Sequence, residues 1–240
     1  MKLSSAFTNT FSTIAVSTLV VFGFAFQAQA MNFLSSSSGK WGQPTPGDVN
    51  PMPYFSGVGT NTFTWGIPNL FGTPANQLTF TGNSFSVNSH SIFKLGNFNY
   101  YNGTVPLGTS VDSVPLTLSF TSNEAPEVNG DYTFEFDLLN TLNTGNIEEN
   151  DDNSDFVVEK TLKRDRFFTL QGKKYAFELA GFSEDGGQTL TKELKALEKK
   201  QISAGLFARV KEIPSEKIPE PAMVIGLGVL GCYLLNRKKA

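Results

Sequence analysis

The chain has 240 residues, a formal net charge of −3, one histidine and one cysteine. That inventory excludes a zinc cluster of Cys/His type and a disulfide-stapled fold. Between residues 31 and 218 there are 15 basic and 21 acidic side chains, leaving −6. So mild an acidity gives no electrostatic reason to bind nucleic acid or anionic lipid.

Lys2 is followed by an almost uncharged run to Ala30, with an apolar heart from Ile14 to Phe26. Ala28 and Ala30 are the small residues at −3 and −1 of a cut after Ala30. Residues 1–30 therefore have the layout of a secretory signal peptide, read by signal peptidase. An uncleaved anchor is the alternative, but the apolar heart is short for a span and no stop-transfer signal follows it.

Residues 31–218 suffice for one domain with a sizeable core. They are rich in Phe, Thr, Gly and Asn, the first two favouring strands and the last two turns. Residues 31–60 are Ser, Gly and Pro rich and read as loop around a first strand at Lys40-Trp41. Alternating strands follow at Thr62–Trp65, Leu78–Phe80 and Ser84–Val87, and Ile92–Leu95 leads into Phe98–Tyr100. Asn102-Gly103 carries a hairpin-turn signal. Val114–Thr121 places Leu116, Leu118 and Phe120 on one face, with Pro115 marking a strand start or an edge. Tyr132, Phe134, Phe136 and Leu138 share one face of the next strand, and Glu135 and Asp137 share the other. Further strands fall at Arg166–Leu170, Lys174–Phe182 and Gly205–Val210. Leu190, Leu194 and Leu197 lie at i, i+4 and i+7 among Lys and Glu, which predicts one short amphipathic helix or helical turn over 190–201. The expected fold is all-β: a jelly-roll-like β-sandwich with one short inserted helix.

Residues 219–240 open with Pro219-Glu220-Pro221, run apolar from Ala222 to Leu235 and close on Arg237-Lys238-Lys239. The apolar run is about 21 Å long as a helix, against a hydrocarbon core of about 30 Å. It spans only by thinning the bilayer or drawing in flanking residues. The basic end orients it with that end in the cytoplasm. Cys232 lies inside this helix and reads as a small apolar filler, with lipidation or oxidation as the alternative.

This tripeptide, hydrophobic helix and basic stop, in that order, resemble a PEP-CTERM sorting signal. The resemblance implies recognition and cleavage near the tripeptide by an exosortase, a membrane transpeptidase, with Pro219, Glu220 and Pro221 recognised and Arg237, Lys238 and Lys239 orienting. A plain tail anchor is the alternative. Residues 38–212 resemble the choice-of-anchor K domain, through Ser38-Gly39-Lys40-Trp41, Gly57–Asn61, Phe63–Gly66, Leu78–Gly82, Phe93–Gly96, Tyr101–Thr104 and Leu179–Phe182. That resemblance implies a β-sandwich on a bacterial surface and brings no catalytic residues.

The chemistry legible in the body is sparse. His90 is the single histidine a Ser-His-Asp triad would have to use, and a surface loop position suits it better. Glu135 and Asp137 begin an E-x-D-x-x-E pattern of laminarinase type, but its last place is Asn140, so one carboxylate is missing. Asp151, Asn153 and Asp155 form D-x-N-x-D, the first half of a calcium loop, without the glycine and terminal Glu of an EF-hand. A calcium-stapled loop and a solvated acidic loop both fit. Trp41, Trp65, Tyr100 and Tyr101 read either as core or as a sugar-stacking platform. The expectation is an exported, non-enzymatic surface or matrix protein, structural or adhesive. The alternative is a carbohydrate-binding module acting on extracellular polysaccharide; a glycoside hydrolase comes last.

Overall fold

A computed structural model describes residues 31–47, 51–88, 91–144, 151–160 and 167–214. The expected signal peptide with Ala28 and Ala30, His90, and the tail residues Pro219, Glu220, Pro221, Arg237, Lys238 and Lys239 lie outside the described residues. Among the described residues no helix is long and apolar enough to cross a membrane.

The chain forms β1 (Asn32–Trp41), β2 (Phe55–Ser56), β3 (Thr62–Trp65), β4 (Asn76–Gly82) and β5 (Ser84–Asn88). These are followed by β6 (Ile92–Tyr101), β7 (Ser113–Thr121), β8 (Gly130–Leu139) and β9 (Asp155–Lys160). The last strands are β10 (Phe167–Leu170), β11 (Lys173–Ser183), β12 (Glu193–Ala196) and β13 (Gln201–Glu212). They build two antiparallel sheets, ordered β12-β9-β8-β7-β1-β5 and β10-β11-β13-β6-β4-β3-β2. Packed face to face, the sheets make the expected β-sandwich.

Alternation decides which face is inside. Tyr132, Phe134, Phe136 and Leu138 of β8 are buried, as are Leu116, Leu118 and Phe120 of β7. Aromatic rings join the two sheets: Trp41 meets Phe98 edge-on at 5.6 Å, and Phe120 meets Phe177 at 4.7 Å. Such pairs add to the area they remove from water.

β1 is longer than its composition suggests. Its ten residues take in the Ser-rich run that reads as loop. The small residues are there for fit: a Cβ on Gly39 would lie 2.5 Å from Phe80 Cδ1. Pro115 is the third residue of β7, near a strand start as expected.

The helix expected over 190–201 is not formed. Glu193–Ala196 is strand β12, with Leu194 opposite Val157 and Ala196 opposite Asp155. Leu194, Ala196 and Glu198 are buried, a period of two, while Leu190 and Leu197 are not. A short isolated helix gains little in water. As a strand the segment completes the β9 ladder and closes that sheet on an edge rich in Lys and Glu.

Asn102-Gly103 does not turn a hairpin either; after β6 the chain crosses to β7 in the opposite sheet. The register places the connections after β1, β3, β6, β8 and β12 at one end, the tip. Met31, before β1, and Pro214, after β13, leave from the other end, where Asn32 pairs Asn88 and Glu212 pairs Tyr175.

Candidate functional site

The tip conceals a polar cluster. Glu198, 2 % exposed, sits in the turn between β12 and β13. Its Oε2 accepts from Thr104 Oγ1 at 2.8 Å and its Oε1 from Asn143 Nδ2 at 2.7 Å. Asn102 is fully buried and binds that turn three times. Its N–H donates to Lys200 O at 3.0 Å, its carbonyl accepts from Lys199 N–H at 2.7 Å, and its Nδ2 donates to Ala196 O at 3.0 Å. Gly103 N–H donates to Asn76 Oδ1 at 2.8 Å.

Asp155 enters the same cluster from β9, opposite Ala196. Its Oδ1 accepts from Thr141 N–H at 2.7 Å and from Thr141 Oγ1 at 3.2 Å. Burial pushes its carboxyl up to about 7; the Thr141 hydrogen bonds oppose the shift and the Glu198 charge adds to it. Burial also raises the Tyr100 phenol well above its ordinary value, reinforced by Asp155 and Glu198.

Among the described residues, five buried side-chain atoms are left without a hydrogen-bond partner: Trp65 Nε1, Asn76 Nδ2, Asn102 Oδ1, Asn143 Oδ1 and Ser154 Oγ. All belong to residues at the tip end of their strands or in the tip connections. Orphaned buried polar atoms carry a real cost, so their clustering calls for an explanation.

The sequence-predicted calcium residues do not converge. Asp151, in a one-turn 3-10 helix over Asp151–Asn153, ion-pairs with Lys195. Asn153 is buried and clasps the Thr144 backbone, accepting from its N–H at 2.9 Å and donating to its carbonyl at 2.8 Å. Asp155 alone joins the buried cluster. Among the described residues no three His, Cys, Asp or Glu side chains gather around one point.

Glu135 and Asp137 lie on the outer face of β8, both against Lys160 of β9, at 3.7 and 3.2 Å. Ser113 Oγ donates to Glu135 Oε1 at 2.8 Å. Asn140 donates to the Ser110 hydroxyl. Asp137 first, then Glu135, holds the Lys160 ammonium above its ordinary value. The pair is thus an ion-paired surface patch.

The sugar-stacking platform is overturned for three of its four rings. Trp41, Trp65 and Tyr100 are each 1 % exposed, because strand alternation turns them into the core. Trp65 stacks between Phe63 and Tyr100, at 5.8 and 5.9 Å. A different feature faces outward from the second sheet: a polar depression of about 330 Å³, bordered by Lys94, Asn97, Asn99, Ser203 and Glu184. Its apolar wall is Phe207, which a register shift after Leu206 places beneath Gly187.

The rim of the tip is apolar. Met52, Tyr54, Ile67, Leu70, Phe71 and Leu107 are exposed, Leu107 to 84 %. Their loops are tied together: Met52 N–H donates to Gly108 O at 3.1 Å, and Tyr54 N–H to Thr109 O at 3.0 Å. Exposed apolar side chains gathered on adjoining loops are the usual mark of an interaction surface.

Sequence reasoning passed over Glu198, Asn102 and Asn143. The one available signal was Asn102-Gly103, a turn-type pair whose polar side chain is kept inside. Compared with known proteins, the chain matches no family model and no curated protein.

Proposed function

We propose that this is an exported bacterial surface or extracellular-matrix protein, structural or adhesive, carrying a PEP-CTERM-type tail for an exosortase and a choice-of-anchor K type body. The observation that carries the reading is the opposition of ends. Both connections to the terminal segments leave one end of the sandwich, and the exposed apolar loops crown the other. A body tethered at its base presents that rim outward. Signal peptidase and the exosortase are the processing partners, and no catalytic residue is assigned. The test is attachment. A variant carrying Leu70→Ser, Phe71→Ser and Leu107→Ser is expected to keep the wild-type melting temperature and lose retention in the cell envelope or matrix. Full retention by the folded variant contradicts an adhesive tip.

A second reading is a carbohydrate-binding module for extracellular polysaccharide. The polar depression beside Asn97, Asn99 and Ser203 supports it, since amide and hydroxyl groups suit sugar hydroxyls. Glycan binding abolished by Asn99→Ala favours this reading over adhesion through the tip.

A further inference from the structure

We propose that the buried cluster beneath the tip is a calcium site, built from the carboxylates of Asp155 and Glu198 and the amide oxygens of Asn102 and Asn143.

Both carboxylates are buried, and the donors found on them, Thr104, Asn143 and Thr141, are neutral. Neutral donors soften the desolvation of an anion but do not cancel its charge. Each carboxylate raises the proton affinity of the interior around Tyr100. Two carboxylates buried together among neutral donors form a site whose charge a divalent cation would neutralise.

Orphaned oxygens give the independent observation. Asn143 Nδ2 is spent on Glu198, so the oxygen of the same amide lies beside that carboxylate, and it has no partner. Asn102 is fully buried and its Nδ2 is spent on Ala196 O, two residues before Glu198. Its oxygen is likewise held against this turn without a partner. Ser154 Oγ, adjacent to Asp155 in the chain, is a third such oxygen.

The register brings the two carboxylates to one place. Asp155 opposes Ala196, and Glu198 follows two residues later on the same buried alternation. An all-oxygen set of carboxylates and neutral amides fits calcium, which takes six to eight oxygens in adaptable geometry. Zinc prefers nitrogen and sulfur, and magnesium demands a tighter octahedron. The site shares Asp155 with the D-x-N-x-D segment and uses neither Asp151 nor Asn153.

The test uses full-length protein stripped with a chelator and titrated with Ca²⁺ alone, read by calorimetry and melting. Terbium luminescence, sensitised by the buried Trp65 and Tyr100, is read in parallel. One ion per chain, a higher melting temperature and sensitised terbium emission are expected. Glu198→Gln and Asp155→Asn should each weaken binding at least tenfold, and Asp151→Asn should leave it unchanged. Asn143→Ala keeps both carboxylates and should also weaken binding, which covers the case where a charge variant fails to fold. Absence of saturable uptake, with melting indifferent to Ca²⁺ and chelator, leaves ordered water in the cluster and overturns the proposal. Binding lost in Asp151→Asn and retained in Glu198→Gln overturns it as well.

Discussion

Thr104 Oγ1 donates to Glu198 Oε2 at 2.8 Å, joining residues 94 positions apart. The bond ties the exit of β6 to the turn between β12 and β13. Through Asn143 it also ties in the β8–β9 connection. The tip loops are therefore anchored from beneath by buried polar contacts, while their outer surfaces stay apolar and exposed.

Stability should depend on pH through Asp155. Its folded value of about 7 lies above the ordinary 3.8, so the folded state binds the extra proton between these values. Stability is then highest at the acid end of this window and falls as pH rises through about 7. The maximum effect is about 4 kcal/mol for one group. The Glu198 charge faces the same interior and adds to the Asp155 shift. Urea unfolding of chelator-treated protein at pH 5 and pH 8 checks this, and Asp155→Asn should flatten the difference. An unchanged slope in that variant assigns the effect elsewhere.

Gly103 is required by close approach. A Cβ there would lie 2.1 Å from Pro74 O, and a backbone oxygen cannot rotate away. Gly103→Ala should cost about 2 kcal/mol of stability, in the range for overpacking. Denaturant midpoints measure it, and an unchanged midpoint would mean the two loops separate freely.

Removing the outer ion pairs should matter little. Lys160 is substantially exposed beside Glu135 and Asp137. Lys160→Met should change stability by less than about 1 kcal/mol, as for other exposed pairs. A larger loss in thermal unfolding would show that the two carboxylates need Lys160 to coexist.

The sandwich was legible because its strongest strands alternate cleanly. Tyr132 to Leu138 and Leu116 to Phe120 announce one buried face each. β1 was less legible because Ser and Gly carry no hydrophobic signal; Gly39 is small to admit Phe80, a tertiary reason. Over 190–201 the leucine spacing mimics a helix, but the buried set is Leu194, Ala196 and Glu198. A buried Glu defeats any pattern that scores Glu as solvent-facing. For the same reason the polar cluster was invisible: its members come from four connections distant in sequence. Of the proposed cation ligands, only Asp155 falls in a metal-type motif, and Asn102 shows in the sequence only as half of a turn signal.

The processing claim is tested most directly by mass spectrometry of both termini of the protein from its native host. The mature chain is expected to begin at Met31 and end near Pro219-Glu220-Pro221, without the apolar run from Ala222 to Leu235. A mature chain still ending at Ala240 contradicts removal of the tail and returns residues 219–240 to a plain membrane anchor.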